Sequence, residues 1–152
     1  MTISGNGWEV IMALCLSNFI AQVLKTIGYS IKKKKLHLSV MLSTGSMPSS
    51  HSSTVTAMAT ATGLIEGWDS ILFAITCCIA GIVMYDAAGV RRAASRQAWV
   101  LNRIIKEIQS EDHTLKKERL KELLGHTPTE VLAGAILGII VALGFHSLIL
   151  NS

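Results

Sequence analysis

The stretch "PTEVLAGAILGIIVALGFHSLIL", residues 128–150, decides the fold class of this chain. It contains one acidic residue and no lysine or arginine, and a helix needs about 20 such residues to cross the hydrocarbon core of a bilayer. The whole chain has the same character, because 50% of its 152 residues are hydrophobic and only 16% are charged. In soluble domains, roughly a quarter of the residues are charged. We therefore predict an all-α integral membrane protein with a single domain over residues 1–152.

Three more apolar stretches of similar length precede this one. We expect a bundle of about four transmembrane helices, over residues 8–29, 49–66, 70–90 and 128–150. The first two stretches also contain asparagine, glutamine, serine and threonine. We expect these two to face other helices more than lipid.

The basic residues are confined to two parts of the sequence. All fourteen lysines and arginines lie within residues 25–35 and 91–121, and the formal net charge is +4. Short loops rich in lysine and arginine stay on the cytoplasmic side of a membrane. The sequence therefore predicts that both basic parts are cytoplasmic, that the turn at residues 66–69 lies outside, and that both termini lie outside.

The insert between the third and fourth stretches, residues 91–125, predicts a cytoplasmic hairpin of two amphipathic helices. Val100, Leu101 and Ile104 recur at helical spacing among basic residues. Such a hairpin fits the anionic inner surface of a bilayer. No nucleic-acid-binding module is evident, and a basic patch in so apolar a chain indicates lipid head groups as its partner.

The cysteines and histidines show no metal-site spacing. Cys15, Cys77 and Cys78 all lie within apolar runs, and their odd number argues against a disulfide framework. We interpret them as packing residues and expect neither a metal nor another cofactor. His37, His113 and His146 are assigned no role.

One polar cluster lies at the start of the second apolar stretch, in "GSMPSSH", residues 45–51. Pro48 suits the first position of a helix, where its missing N–H is not needed. Ser49, Ser50 and His51 would then form the first turn, whose free N–H groups attract anions. The simpler alternative is a helix start with a structural histidine.

Two more clusters are expected at the same membrane face. In "GHTPTE", residues 125–130, Pro128 marks a helix start two residues after His126, although Thr127 and Glu130 also fit a purely structural capping box. In "MYDAAGVRR", residues 84–92, Asp86 lies near the inner end of the third helix, and an ionisable residue there is a functional candidate. The neighbouring arginines, Arg91 and Arg92, could bind phosphate or simply pair with Asp86.

The convergence of these clusters favours phosphoryl transfer through a histidine. One neutral imidazole can attack phosphorus while a second, protonated imidazole serves the leaving group. Arginine provides the forked donors that match phosphoryl oxygens. None of this chemistry requires a metal.

The segments "MPSSH", "MYDAAGVRRAA" and "LGHTPTEVLAG", in this order and spacing, resemble the divergent PAP2 family of membrane proteins, related to phosphatidic acid phosphatases and vanadium haloperoxidases. The resemblance implies that His126 is the nucleophile, that Glu130 orients it and that His51 is the general acid. The superfamily's first motif, a lysine followed after six residues by Arg-Pro, is absent, and Ser50 stands where the second motif has glycine. Phosphate binding is therefore assigned to Arg91, Arg92 and Lys35 together with the N–H groups of Ser49 and Ser50. Asp86 is counted in the same substrate-binding set.

These observations predict a membrane phosphatase that hydrolyses a lipid phosphate, such as phosphatidylglycerophosphate or phosphatidic acid, through a phosphohistidine. The alternative is a non-catalytic protein that binds or transports phospholipid or phosphate. A third possibility is an oligomeric membrane scaffold, in which Gly134 and Gly138 of "GAILG" form a helix-packing face.

Overall fold

The computed structural model describes residues 5–33, 47–111 and 125–151 of the chain. These residues form five α-helices and no strand, which confirms the all-α prediction. The helices are α1 (Gly7–Lys33), α2 (Ser50–Glu66), α3 (Ile71–Ala88), α4 (Val90–Glu111) and α5 (Pro128–Leu150). The first amphipathic helix of the predicted insert corresponds to α4. The second, and Lys35, lie outside the described residues.

Three helical segments are long and apolar enough to cross a membrane: Gly7–Ile31, Ile71–Lys106 and Pro128–Leu150. The second of these includes α3 and the first part of α4. The surface of α3 fits lipid contact, because exposed isoleucines follow one another at helical spacing: Ile71, Ile75, Ile79 and Ile82. Helix α2 has 17 residues and is not among these segments. The count of four spanning helices therefore stays a prediction.

Helix α2 lies at the centre of the bundle and packs against α1, α3 and α5. Its buried residues are all serine, threonine, alanine or glycine. Small residues let helix backbones approach closely, and their hydroxyls bond across the interface. Ser17 Oγ of α1 donates to Ser53 O (3.1 Å), and Asn18 Nδ2 donates to Thr54 Oγ1 (3.0 Å). The predicted preference of the first two helices for protein contacts is thus visible in α2.

Two glycines allow α5 to pack directly against the α2 backbone. A Cβ atom at Gly134 would clash with Ser49 O, and one at Gly138 would lie 2.9 Å from Ala57 N and closer still to Ser53 O. Across the same interface, Thr56 Oγ1 donates to Ala135 O (3.1 Å). The "GAILG" face therefore packs within the chain against α2.

Helices α2 and α5 begin at the same end of the bundle, where α1 and α3 end, so the bundle has two distinct ends. We call the end that holds the α2 and α5 N-termini the site end, and the opposite end the far end. At the far end, buried Glu9 of α1 accepts a hydrogen bond from His146 Nδ1 of α5. The sequence around His146 gives no sign of this partner, which comes from a distant part of the chain.

The helix starts agree with prediction at α5 and differ at α2. Helix α5 begins at Pro128 with Thr127 as N-cap, as predicted. Helix α2 begins at Ser50, because Ser49 Oγ accepts the N–H of Ser52 and so caps the helix. The prediction that Pro48 is the first helical residue is therefore wrong, since it precedes the cap and follows a cis peptide bond.

Candidate functional site

Two backbone hydrogen bonds bring the predicted clusters together at the site end. Ser49 N–H, before α2, donates to Glu130 O in the first turn of α5 (3.0 Å). His126 N–H donates to Ala87 O in the last turn of α3 (3.0 Å). Gly125 adopts a φ of 117°, a left-handed conformation that side chains disfavour, and so lets the chain turn into His126. The first turn of α2, the end of α3 and the start of α5 thus border one site.

His126 is fixed by its neighbour Glu130. The imidazole is 3% exposed, and its Nδ1 lies 3.2 Å from Glu130 Oε2. A carboxylate accepts hydrogen bonds, so Nδ1 carries a proton, and in the neutral imidazole Nε2 then has the free lone pair. The same Oε2 accepts the Thr127 N–H (2.9 Å), and Thr127 Oγ1 accepts the Glu130 N–H. Glu130 therefore both completes the capping box and holds the imidazole.

His51 lies opposite His126 across the site. The two ring centroids are 6.2 Å apart and the ring planes meet at 61°. His51 is in the first turn of α2 and is half-buried, whereas His126 is almost fully enclosed. The structure thus brings both predicted histidines together, and His51 is the more accessible of the two.

Lys25 of α1 is the residue that the sequence analysis missed. It was counted with the cytoplasmic loop charges, but its side chain is 1% exposed inside the bundle. Its Nζ donates to Gln22 Oε1 (3.4 Å), and Gln22 Nε2 donates to Ser50 Oγ (3.3 Å). Glu130 lies close enough to attract the ammonium group. A buried ammonium is costly unless it has anionic or hydrogen-bonding partners, and Gln22 and Glu130 are such partners for Lys25.

A signal for Lys25 was present in the sequence. Six residues separate Lys25 from Lys32, which is the spacing between the lysine and the Arg-Pro of the superfamily's first motif. Lys32 and Lys33 stand where that motif has Arg-Pro, so only the lysine half of the motif is present.

The other predicted binding residues have different positions. Ser49 is fully buried as the α2 N-cap, and its N–H donates to Glu130 O. Ser50 is buried, and its Oγ accepts a hydrogen bond from Gln22 Nε2. Asp86 is half-buried next to Ala87. Arg91 and Arg92 belong to the first turn of α4. Their side chains, like Lys35, lie outside the described part of the structure.

Known proteins provide an independent comparison for this chain. The sequence model of the divergent PAP2 family matches residues 7–141. A relative from Bacillus subtilis (strain 168), described as the uncharacterized membrane protein YuiD, is 44% identical over 133 residues, which are 81% of this chain and 84% of the relative. No solved structure matches the chain significantly. The chain is a membrane protein and belongs to the divergent PAP2 family.

Proposed function

We propose that this member of the divergent PAP2 family is a membrane phosphatase that hydrolyses the phosphate ester of a lipid through a phosphohistidine. One observation carries the proposal: the His126 ring, bonded to Glu130 through Nδ1, lies 6.2 Å from a second imidazole, that of His51. Binding of phosphate needs only cations and N–H donors. A carboxylate-held imidazole beside a second imidazole is instead the arrangement that nucleophilic catalysis with acid assistance requires.

In the first step, His126 Nε2 attacks phosphorus and the bond from phosphorus to the lipid oxygen breaks. Protonated His51 donates its proton to that oxygen, so the lipid leaves as a neutral alcohol. Glu130 accepts the hydrogen bond of His126 Nδ1–H and stabilises the positive charge that develops on the ring.

In the second step, a water molecule attacks phosphorus and the P–N bond breaks. Neutral His51 takes the proton of that water, which restores its protonated form. The products are inorganic phosphate and free His126. The same pair of imidazoles therefore serves both steps, with His51 acting first as acid and then as base.

Lys25 supplies positive charge for the phosphoryl group. Its ammonium is held between α1 and the starts of α2 and α5, and Gln22 connects it to Ser50. Glu130 lies close enough to attract this ammonium. Arg91 and Arg92, which follow the end of α3, are proposed to bind the outer phosphoryl oxygens.

The substrate is proposed to come from the cytoplasmic leaflet. The basic residues lie in the last part of α1, directly after it, and after α3, and the N-termini of α2 and α5 lie at this same end. With four spanning helices, the positive-inside tendency puts the site end in the cytoplasm and both termini outside. Phosphatidylglycerophosphate and phosphatidic acid are substrates of this kind.

The test is phosphate release by the full chain in detergent. Wild type, His126→Gln and His51→Gln are compared on phosphatidic acid, on phosphatidylglycerophosphate and on para-nitrophenyl phosphate, whose leaving group needs no proton. We expect His126→Gln to abolish release from every substrate. His51→Gln is expected to abolish release from the lipids and to retain part of the release from para-nitrophenyl phosphate.

Two outcomes would contradict the proposal. Full activity of folded His126→Gln would exclude the phosphohistidine. A wild-type protein that binds the lipids and releases no phosphate from any of them would favour the binding or transport alternative.

A further inference from the structure

Helix α2 has one face that its neighbours leave partly open. Between residues 50 and 63, ten of its residues are buried. The four that are only half-buried are His51, Thr54, Val55 and Met58. Thr54, Val55 and Met58 lie three, four and seven residues after His51, so all four side chains are on one side of the helix.

This face lies between α1 and α3. Both helices pack against α2, but within the described residues they do not contact each other. Asn18 of α1 bonds Thr54, which marks the α1 edge of the open face. The result is a cleft with α2 as its floor and α1 and α3 as its walls.

The cleft is continuous with the candidate active site. His51 belongs to its floor and lies beside the enclosed His126. Met58 is ~10 Å farther along α2, towards the middle of the bundle, at 1.5 Å per residue. The floor thus changes from a polar residue at the site end to the apolar Val55 and Met58, and methionine adapts its shape to irregular apolar partners.

We propose that this cleft binds an acyl chain of the lipid substrate, with the phosphate at His51 and the chain along Val55 and Met58. An amphiphile with a charged head and an apolar tail matches this order of residues. The lipid enters sideways from the bilayer, because the cleft opens between two membrane helices. The identity of the ligand rests on the proposed function, whereas the cleft itself does not depend on catalysis.

The experiment is photocrosslinking with the full-length His126→Gln chain in nanodiscs of phosphatidylcholine. The probe is phosphatidic acid with a diazirine in one acyl chain, and labelled positions are found by mass spectrometry. We expect label on Val55 and Met58. A tenfold excess of unlabelled phosphatidic acid is expected to reduce this label on the order of tenfold, by mass action at one site.

Two matched controls make the result specific. Ile140 is 61% exposed on the outer surface of α5, so its label should persist in the presence of competitor. Met58→Trp, which fills the cleft, should lose the label on α2, and the volume-conserving Met58→Leu should keep it. Label spread equally over all exposed faces, or label at Met58 that competitor does not reduce, would overturn the proposal.

The outcomes also separate the cleft from the chemistry. Because His126→Gln cannot form a phosphohistidine, the labelling does not depend on turnover. Competed label at Met58 together with no phosphate release by wild type would retain the cleft and reject the phosphatase. Phosphate release by wild type together with unspecific labelling would retain the phosphatase and reject the cleft.

Discussion

Replacement of Gly138 by alanine is expected to separate α2 from α5 and to destabilise the bundle. A Cβ atom at this position would lie 2.9 Å from Ala57 N and closer to Ser53 O and Thr56 Oγ1. Two of these three atoms belong to the α2 backbone, which a side-chain rotation cannot move. The helices must therefore shift apart, which also weakens the bond from Thr56 Oγ1 to Ala135 O.

The size of the effect follows from a comparison with Gly144, on the same helix. No atom lies within 4 Å of a Cβ built at Gly144, so its replacement brings only the helix-propensity gain of alanine, about 1 kcal/mol. That gain is common to both variants and cancels between them. Overpacking costs about 1–3 kcal/mol and a lost hydrogen bond about 1 kcal/mol. Gly138→Ala should therefore be less stable than Gly144→Ala by about 2–4 kcal/mol.

The assay is unfolding in detergent micelles, followed by the helical signal in far-ultraviolet circular dichroism. A thiol-reactive dye is unsuitable, because all three cysteines are exposed in the folded protein. For a chain of this size, a difference of 3 kcal/mol corresponds to roughly 6–12 °C in Tm. Equal stability of the two variants would refute direct backbone packing between α2 and α5 at Gly138.

Three further predictions concern the site and the far end. Glu130→Gln should lower phosphate release at least tenfold. The control Thr127→Ala, which removes only the cap, should cost about 1 kcal/mol of stability and leave turnover intact. Equal turnover in both variants would show that Glu130 only caps the helix and has no role in catalysis. Lys25→Gln should raise the KM for the lipid phosphate, and Lys25→Arg should keep the KM closer to that of wild type. The control Lys106→Gln, on exposed α4, should leave the KM unchanged. An unchanged KM in Lys25→Gln would remove Lys25 from the site. Glu9→Ala should cost about 3 kcal/mol, because it leaves His146 without its buried partner, with turnover per folded molecule unchanged. A loss of turnover in folded Glu9→Ala would show that the far end is coupled to the site.

The predictions that succeeded depend on interactions between near neighbours in sequence. The start of α5 follows from Pro128 and from the bond of Thr127 with Glu130, both within one helical turn. The existence of the apolar helices follows from run length alone. The same local reasoning placed the start of α2 too early. The segment "MPSSH" contains both a proline and two serines that can begin a helix, and the Ser49 hydroxyl caps this one.

The sequence by itself determined the class of molecule, its family and the two histidines of the candidate site. Only the tertiary structure decided how they are supported, because that depends on helices distant in sequence. The burial of Lys25 beside Glu130, the bond from Ser49 N–H to Glu130 O and the pair of Glu9 with His146 all join α1 or α2 to α5. Hydrophobic periodicity identifies the side of a helix that packs, but not the helix that covers it. For this reason a lysine that reads as a loop charge in the sequence lies buried at the site end of the bundle.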